Sequence, residues 1–122
     1  MILNELLRFS AVGLLATAAH TCTAFYLIYF LNHDALTANT LGFLSALGIS
    51  FFINAKWTFR RTIQWRQFFR FASIASLTYL LIVLISKLSE DSDFHPAYSV
   101  LLIALIIPLI NFLMHKFWTF NQ

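Results

Sequence analysis

The chain has 122 residues, of which 60% are hydrophobic and 11% charged, and a formal net charge of +3. Soluble domains carry roughly 25% charged residues, so 8 basic and 5 acidic side chains cannot cover a soluble surface, and the composition selects a membrane class. A span needs about 20 apolar residues, so the length admits four spans with short loops and no further domain, and the basic excess reads as topogenic rather than as a footprint for nucleic acid.

The N-terminus is not a convincing cleavable signal: Ala16-Thr17-Ala18 resembles a cleavage site, but the apolar run continues past it to Leu31. Residues 1–8 form a short head, and residues 9–31 carry no formal charge, enough for a first span with some tilt. Gly13, Thr17, His20 and Ala24 fall three to four apart and share one helix face. Cys22 is the lone cysteine, which leaves no intrachain disulfide and no cysteine-based metal site. Asn32-His33-Asp34 reads as a tight turn. The second span covers 36–55, with Ala38, Gly42, Ala46, Ser50 and Asn54 recurring every four residues as a small-residue packing seam. The run 60–70 holds Arg60, Arg61, Arg66 and Arg70 around Trp65 and reads as an interfacial connection. The third span covers about 70–87 and is short, and 87–95 reads as a polar loop with Glu90, Asp91 and Asp93. Pro96 opens the last span, about 97–117, at a position where its missing N–H costs nothing. Pro108 is expected to kink that span.

Charge sets the orientation. Arg8, Lys56, Arg60, Arg61, Arg66, Arg70 and Lys116 fall on one side and Lys87 alone on the other, which places both termini in the cytoplasm. The fold class is therefore all-α: one integral membrane domain of four transmembrane helices. It also repeats internally. Arg8-Phe9 matches Arg70-Phe71 at an offset of 62, and Trp57-Thr58-Phe59 matches Trp118-Thr119-Phe120 at 61. Two parallel two-helix repeats, 8–61 and 68–120, follow, related by an axis along the membrane normal. They are not equivalent: His20 falls opposite Ile82, Asn54 opposite His115, and Arg60-Arg61 opposite Asn121-Gln122. The polar equipment is concentrated in the first half.

These residues carry a family resemblance. Arg8-Phe9 with Gly13, the Ala38-Asn39 to Gly42 stretch, the run from Ser50 through Asn54-Ala55-Lys56-Trp57-Thr58-Phe59, the second Arg70-Phe71 and the terminal Phe117-Trp118-Thr119-Phe120 resemble the GtrA-like family of small four-span bacterial inner-membrane proteins, over nearly the whole chain. Within it, the bactoprenol-linked glucose translocases are the most similar branch. They carry His at the position of His20 and Asn-Ala-Lys at that of Asn54 to Lys56; many other members have Asp where His20 stands. His115 stands where Asn is usual. The resemblance implies flipping of a polyprenyl-phosphate-linked monosaccharide, glucose by this branch, from the cytoplasmic to the periplasmic leaflet. There a glycosyltransferase would use it to modify O-antigen or another envelope glycan.

The chemistry of such a cargo can be set against the residues. An anionic phosphate, a polar ring and a long apolar tail call for cations, hydrogen-bonding groups and a lipid-open groove. Arg8, Lys56, Arg60 and Arg70 gather at the cytoplasmic rim, where arginine suits bidentate phosphate contact; the plain alternative is charge that sets topology and meets lipid headgroups. His20 lies 12 residues beyond Arg8, roughly 18 Å along a helix, near the bilayer centre, where an ionisable group is a functional candidate by default. The alternative is a neutral histidine bonded to a neighbouring threonine or carbonyl. Asn39 and Asn54 serve sugar hydroxyls or brace helices equally well. Trp57 fits an interface anchor better than a stacking platform, and Asn111 fits a helix contact. His33 and His95 give no case for a metal site. No cofactor is expected, and with no glycine-rich phosphate loop no ATP hydrolysis. Nothing here calls for an enzyme. Other readings are a non-transporting scaffold for a glycosyltransferase and, less favoured, a small multidrug-type antiporter, which would need a carboxylate inside a span. Four helices hardly enclose a sugar head, so a homo-oligomer, most simply a dimer, is expected.

Overall fold

The computed structural model describes residues 2–54, 57, 65–114 and 117–118. They form four helices: α1 (Ile2–Leu31), α2 (Ala35–Ile53), α3 (Trp65–Asp91) and α4 (Pro96–Met114). All four contain a stretch long and apolar enough to cross a membrane, namely Leu7–Leu31, Ala35–Ile53, Phe69–Asp91 and Pro96–Met114. At 1.5 Å per residue the 19 residues of α2 and of α4 reach about 28 Å, close to the hydrocarbon thickness. The outward faces suit lipid: Phe30, Leu44, Leu80 and Leu101 are exposed.

Two elements differ from the expectation. α1 begins at Ile2 and absorbs the head, and α3 runs from Trp65 to Asp91, so Arg66, Arg70, Lys87 and Glu90 are helical rather than in connections. The cause is local. Residues 65–91 contain no Gly or Pro, and polar residues in the end turns of a membrane helix reach headgroups without losing a backbone bond. The break comes where Asp93 adopts a left-handed φ of 57°. There Phe94 N–H bonds the Ser89 carbonyl and Asp93 N–H the Glu90 carbonyl, a Schellman ending. Asn32, with φ 56°, ends α1 at the expected turn.

The starts of α2 and α4 are capped in different ways, the first across the bundle and the second locally. Leu36 N–H donates to Glu90 Oε1 at 2.9 Å, so α3 caps α2. Ala97 N–H donates to His95 Nδ1 at 3.1 Å, and Pro96 follows His95 as expected. Hydroxyls facing lipid return to their own helix, as Ser73 to the Phe69 carbonyl and Ser76 to that of Ala72, which satisfies a donor that hydrocarbon would leave orphaned.

Neighbours in the bundle are α1 with α2, α2 with α3, α3 with α4 and α4 with α1, while α2 and α4 also touch across the diagonal; α1 and α3 do not pack on one another. α2 approaches α1 closely at Gly42, where an added Cβ would lie 2.8 Å from the His20 carbonyl oxygen. That is the small-residue seam at work: a bare Cα lets α2 press onto the α1 backbone. The apolar core is thin and split. Ala24, Ile28, Ala38 and Val100 fill the half away from the termini, and Ile82, Ile103 and Ile107 lie toward the chain ends.

Candidate functional site

The split core leaves a cavity of about 520 Å³. Phe9, Ser50, Phe71 and Phe112 stand at the end nearest the chain termini, and His20, Phe43, Ile82 and Ile103 close its inner end. All four helices contribute, and the gap between α1 and α3 is what the cavity occupies. Its walls are mostly apolar, with isolated polar groups at Ser10, Thr17, Ser50, Thr78 and Asn111. Among the described residues no charged side chain lines it. Thr17 donates to the Gly13 carbonyl at 2.8 Å, and Thr78 donates to Asn111 Oδ1 at 2.7 Å, joining α3 to α4. α4 continues through Pro108, which lines the cavity beside Ala104; the proline has no N–H for the Ala104 carbonyl.

Immediately beyond His20 lies a polar node. His20 Nε2 meets Asn39 Oδ1 at 3.1 Å, and Asn39 Nδ2 donates to Ser86 Oγ at 3.0 Å and to Ser99 Oγ at 2.9 Å. One residue from each helix is thereby tied into a single knot. Asn39, Ser86 and Ser99 are fully buried and His20 is 5% exposed. A polar amide placed in hydrocarbon demands partners, and here every hydrogen-bonding atom of Asn39 has one.

At the other end, Arg8 reaches the Trp57 carbonyl at 3.4 Å with its guanidinium 5.6 Å from the Trp57 ring centre. Arg70 reaches the Trp118 carbonyl at 2.9 Å with its guanidinium 5.8 Å from that ring. Each arginine near the start of an apolar span thus clasps the tryptophan that follows the next helix. At the end of the bundle away from the termini, Asp34 sits before α2 with its carboxyl held below the ordinary carboxylate value, first by the Thr37 hydroxyl.

Of the expected site residues, His20 forms the cavity floor and touches Asn39 directly. Asn39 stands behind the floor rather than in it. Asn54 is buried and donates to Ser50 Oγ at 3.1 Å, so Ser50, not Asn54, faces the cavity. Arg8 and Trp57 are brought together, whereas Arg70 joins Trp118. Lys56 and Arg60 lie outside the described residues, as does His115. Sequence reasoning missed Ser86 and Ser99. The repeat held the signal: at offsets of 62 and 61 these serines stand opposite Ala24 and Ala38, so a hydroxyl replaces a methyl at two buried positions of the second half. Among the described residues no cluster of His, Cys, Asp or Glu could hold a metal.

Comparison with known proteins agrees with this architecture. The profile of the GtrA/DPMS transmembrane domain family matches residues 8–120. Two bactoprenol-linked glucose translocases, from Shigella phages SfII and SfV, are each 23% identical to the chain over 121 residues, covering 99% of it and 98% of the relative. No solved structure matches. The chain belongs to the GtrA/DPMS transmembrane domain family, is a multi-pass membrane protein, and is similar to translocases of a lipid-linked sugar.

Proposed function

We propose that this family member translocates a polyprenyl-phosphate-linked monosaccharide, glucose in the first instance, across the bacterial inner membrane. Its termini lie in the cytoplasm, so the cavity opens toward the leaflet where the sugar lipid is made. The cargo is then delivered to a glycosyltransferase that modifies O-antigen or another envelope glycan. The observation that supports this most is the cavity itself. A groove inside the bundle, apolar along its walls and ending on one histidine near the bilayer centre, suits a polar ring that must leave water while its tail stays in lipid.

In this reading the rim cations Arg8, Lys56, Arg60 and Arg70 receive the phosphate, and the cavity takes the ring. Trp57 orients Arg8, because the guanidinium is held over the indole and against its carbonyl. His20 meets a sugar hydroxyl at the floor, and Asn54 supports the mouth through Ser50. The node at Asn39 closes the outer half, so passage requires the four helices to part there. A homodimer would widen the path.

The test is reconstitution of the purified protein alone with labelled polyprenyl-phosphate glucose, followed by measurement of its accessibility in the opposite leaflet. Transfer above protein-free vesicles is expected. No transfer without an added glycosyltransferase would instead favour a scaffold.

A further inference from the structure

We infer that Asn39 is a positioning residue that fixes His20 as a hydrogen-bond acceptor at the cavity floor, making the floor a subsite for a ligand hydroxyl rather than for an acceptor-only group. This rests on the sugar-lipid reading for the identity of the ligand, but not for the geometry. Pro96 sets the orientation of the node. Its carbonyl accepts the Ser99 hydroxyl at 2.6 Å, and a serine has one proton to give. Toward Asn39, 2.9 Å away, Ser99 Oγ can therefore only accept, so the nitrogen of the Asn39 amide must face it. The network fixes an amide orientation that is otherwise ambiguous. The second hydrogen of that nitrogen goes to Ser86, and Oδ1 is left for His20 Nε2. A carbonyl oxygen cannot donate, so Nε2 carries the hydrogen. In the neutral ring Nδ1 is then a bare acceptor.

Packing decides where that acceptor points. The Cγ–Cδ2 bond of the ring rests against Gly42, with both atoms 3.2 Å from an ideal Cβ there, so Nδ1 is not the edge pressed onto α2. Among the described residues Nδ1 has no hydrogen-bond partner, and the one fully sealed side-chain atom lacking a partner is Ser89 Oγ, not Nδ1. His20 lines the cavity, so Nδ1 is open to it. Among the described residues no carboxylate lines the cavity to hold a second proton on the ring. The floor therefore offers one lone pair, which takes an O–H and gives nothing to a carboxylate or a keto oxygen.

The test has two arms. In the first, the 15N signals of His20 are read in the protein reconstituted in bilayers. Protonated Nε2 and unprotonated Nδ1 are expected, with a mixture of tautomers in Asn39→Leu and in Ser99→Ala, the latter a small change that spares folding. A hydrogen on Nδ1 in the wild type, or a single unchanged tautomer in both variants, overturns the inference whatever the transport result. The second arm compares His20→Asn, whose amide stands where Nδ1 was, with His20→Gln, whose amide stands where Nε2 was. Polyprenyl-phosphate glucose should bind about tenfold more weakly to the Gln variant and within about threefold of wild type to the Asn variant, the loss expected for one hydrogen bond. The opposite order overturns the subsite. If wild type fails to bind the sugar lipid at all, the functional reading falls, and the first arm still decides the geometry.

Discussion

The two halves of the chain are alike at one end and different in the middle. At the end near the termini, Arg8 clasps Trp57 and Arg70 clasps Trp118 with the same pair of contacts. In the middle, α1 and α2 carry His20, Ala24, Ala38 and Asn39, where the corresponding positions of α3 and α4 carry Ile82, Ser86, Ser99 and Val100. The difference is complementary. The first half supplies an imidazole and an amide, and the second supplies the two hydroxyls that satisfy the amide. An asparagine in either half facing only alanines would be an orphan in hydrocarbon. The halves share their anchoring and divide their polar chemistry, so the amide of the first half is satisfied only with the hydroxyls of the second.

The largest expected effect breaks the first half alone. Gly42→Val places a side chain where even a Cβ lies 2.8 Å from backbone; the α1–α2 contact must open, at a cost of about 3 kcal/mol, seen as lost thermal stability in detergent. Gly13→Ala and Gly48→Ala, with nothing within 4 Å of the added Cβ, should leave stability unchanged, and a loss there as large as at Gly42 would refute the close-contact account. Asn39→Leu removes three interhelical hydrogen bonds, about 2 kcal/mol in all if each resembles measured membrane cases, read in the same unfolding assay. Converting the second half to the residues of the first, with Ser86→Ala and Ser99→Ala together, should cost about 1 kcal/mol. An unaltered melting temperature would show that the node contributes no stability. Trp57→Leu and Trp118→Leu should each cost about 0.5–1 kcal/mol, but the first should slow sugar-lipid transfer more, because Arg8, Lys56 and Arg60 of the proposed phosphate cations lie in the first half and Arg70 alone in the second. Equal slowing would make the halves functionally alike. The smallest effect concerns Asp34. Its folded carboxyl titrates below the ordinary value, so its contribution to stability is complete above the ordinary carboxylate pKa and is lost as pH falls through the lower folded one. Asp34→Asn should flatten that acid limb slightly and remove the same small contribution at neutral pH.

Comparison of the halves also separates what could be read from what could not. The four spans and the turn at Asn32-His33-Asp34 followed from apolar length and from residues that break helices. The end of the third helix did not, because Lys87 and Glu90 look like loop residues by polarity although nothing between Trp65 and Asp91 disfavours helical backbone. His20 was legible as an ionisable group deep in a span. Its partner was not. Asn39 looked equally suited to sugar or to bracing, and only packing shows its amide fully engaged with Ser86, Ser99 and His20.

The sequence by itself determined the solvent, the number of crossings and the duplication, since hydropathy, length and a repeated Arg-Phe to Trp-Thr-Phe frame are local properties of the chain. Only the tertiary structure decided which polar groups meet. A serine in an apolar helix can bond its own carbonyl, as Ser73 does, or reach across to another helix, as Ser86 does. The choice depends on which face the neighbouring helix covers. The bare Cα of Gly42 sets that face by bringing α2 against the backbone of His20. Ala24 and Ala38, both fully buried, leave room in the first half for Asn39 to lie between the serines of the second.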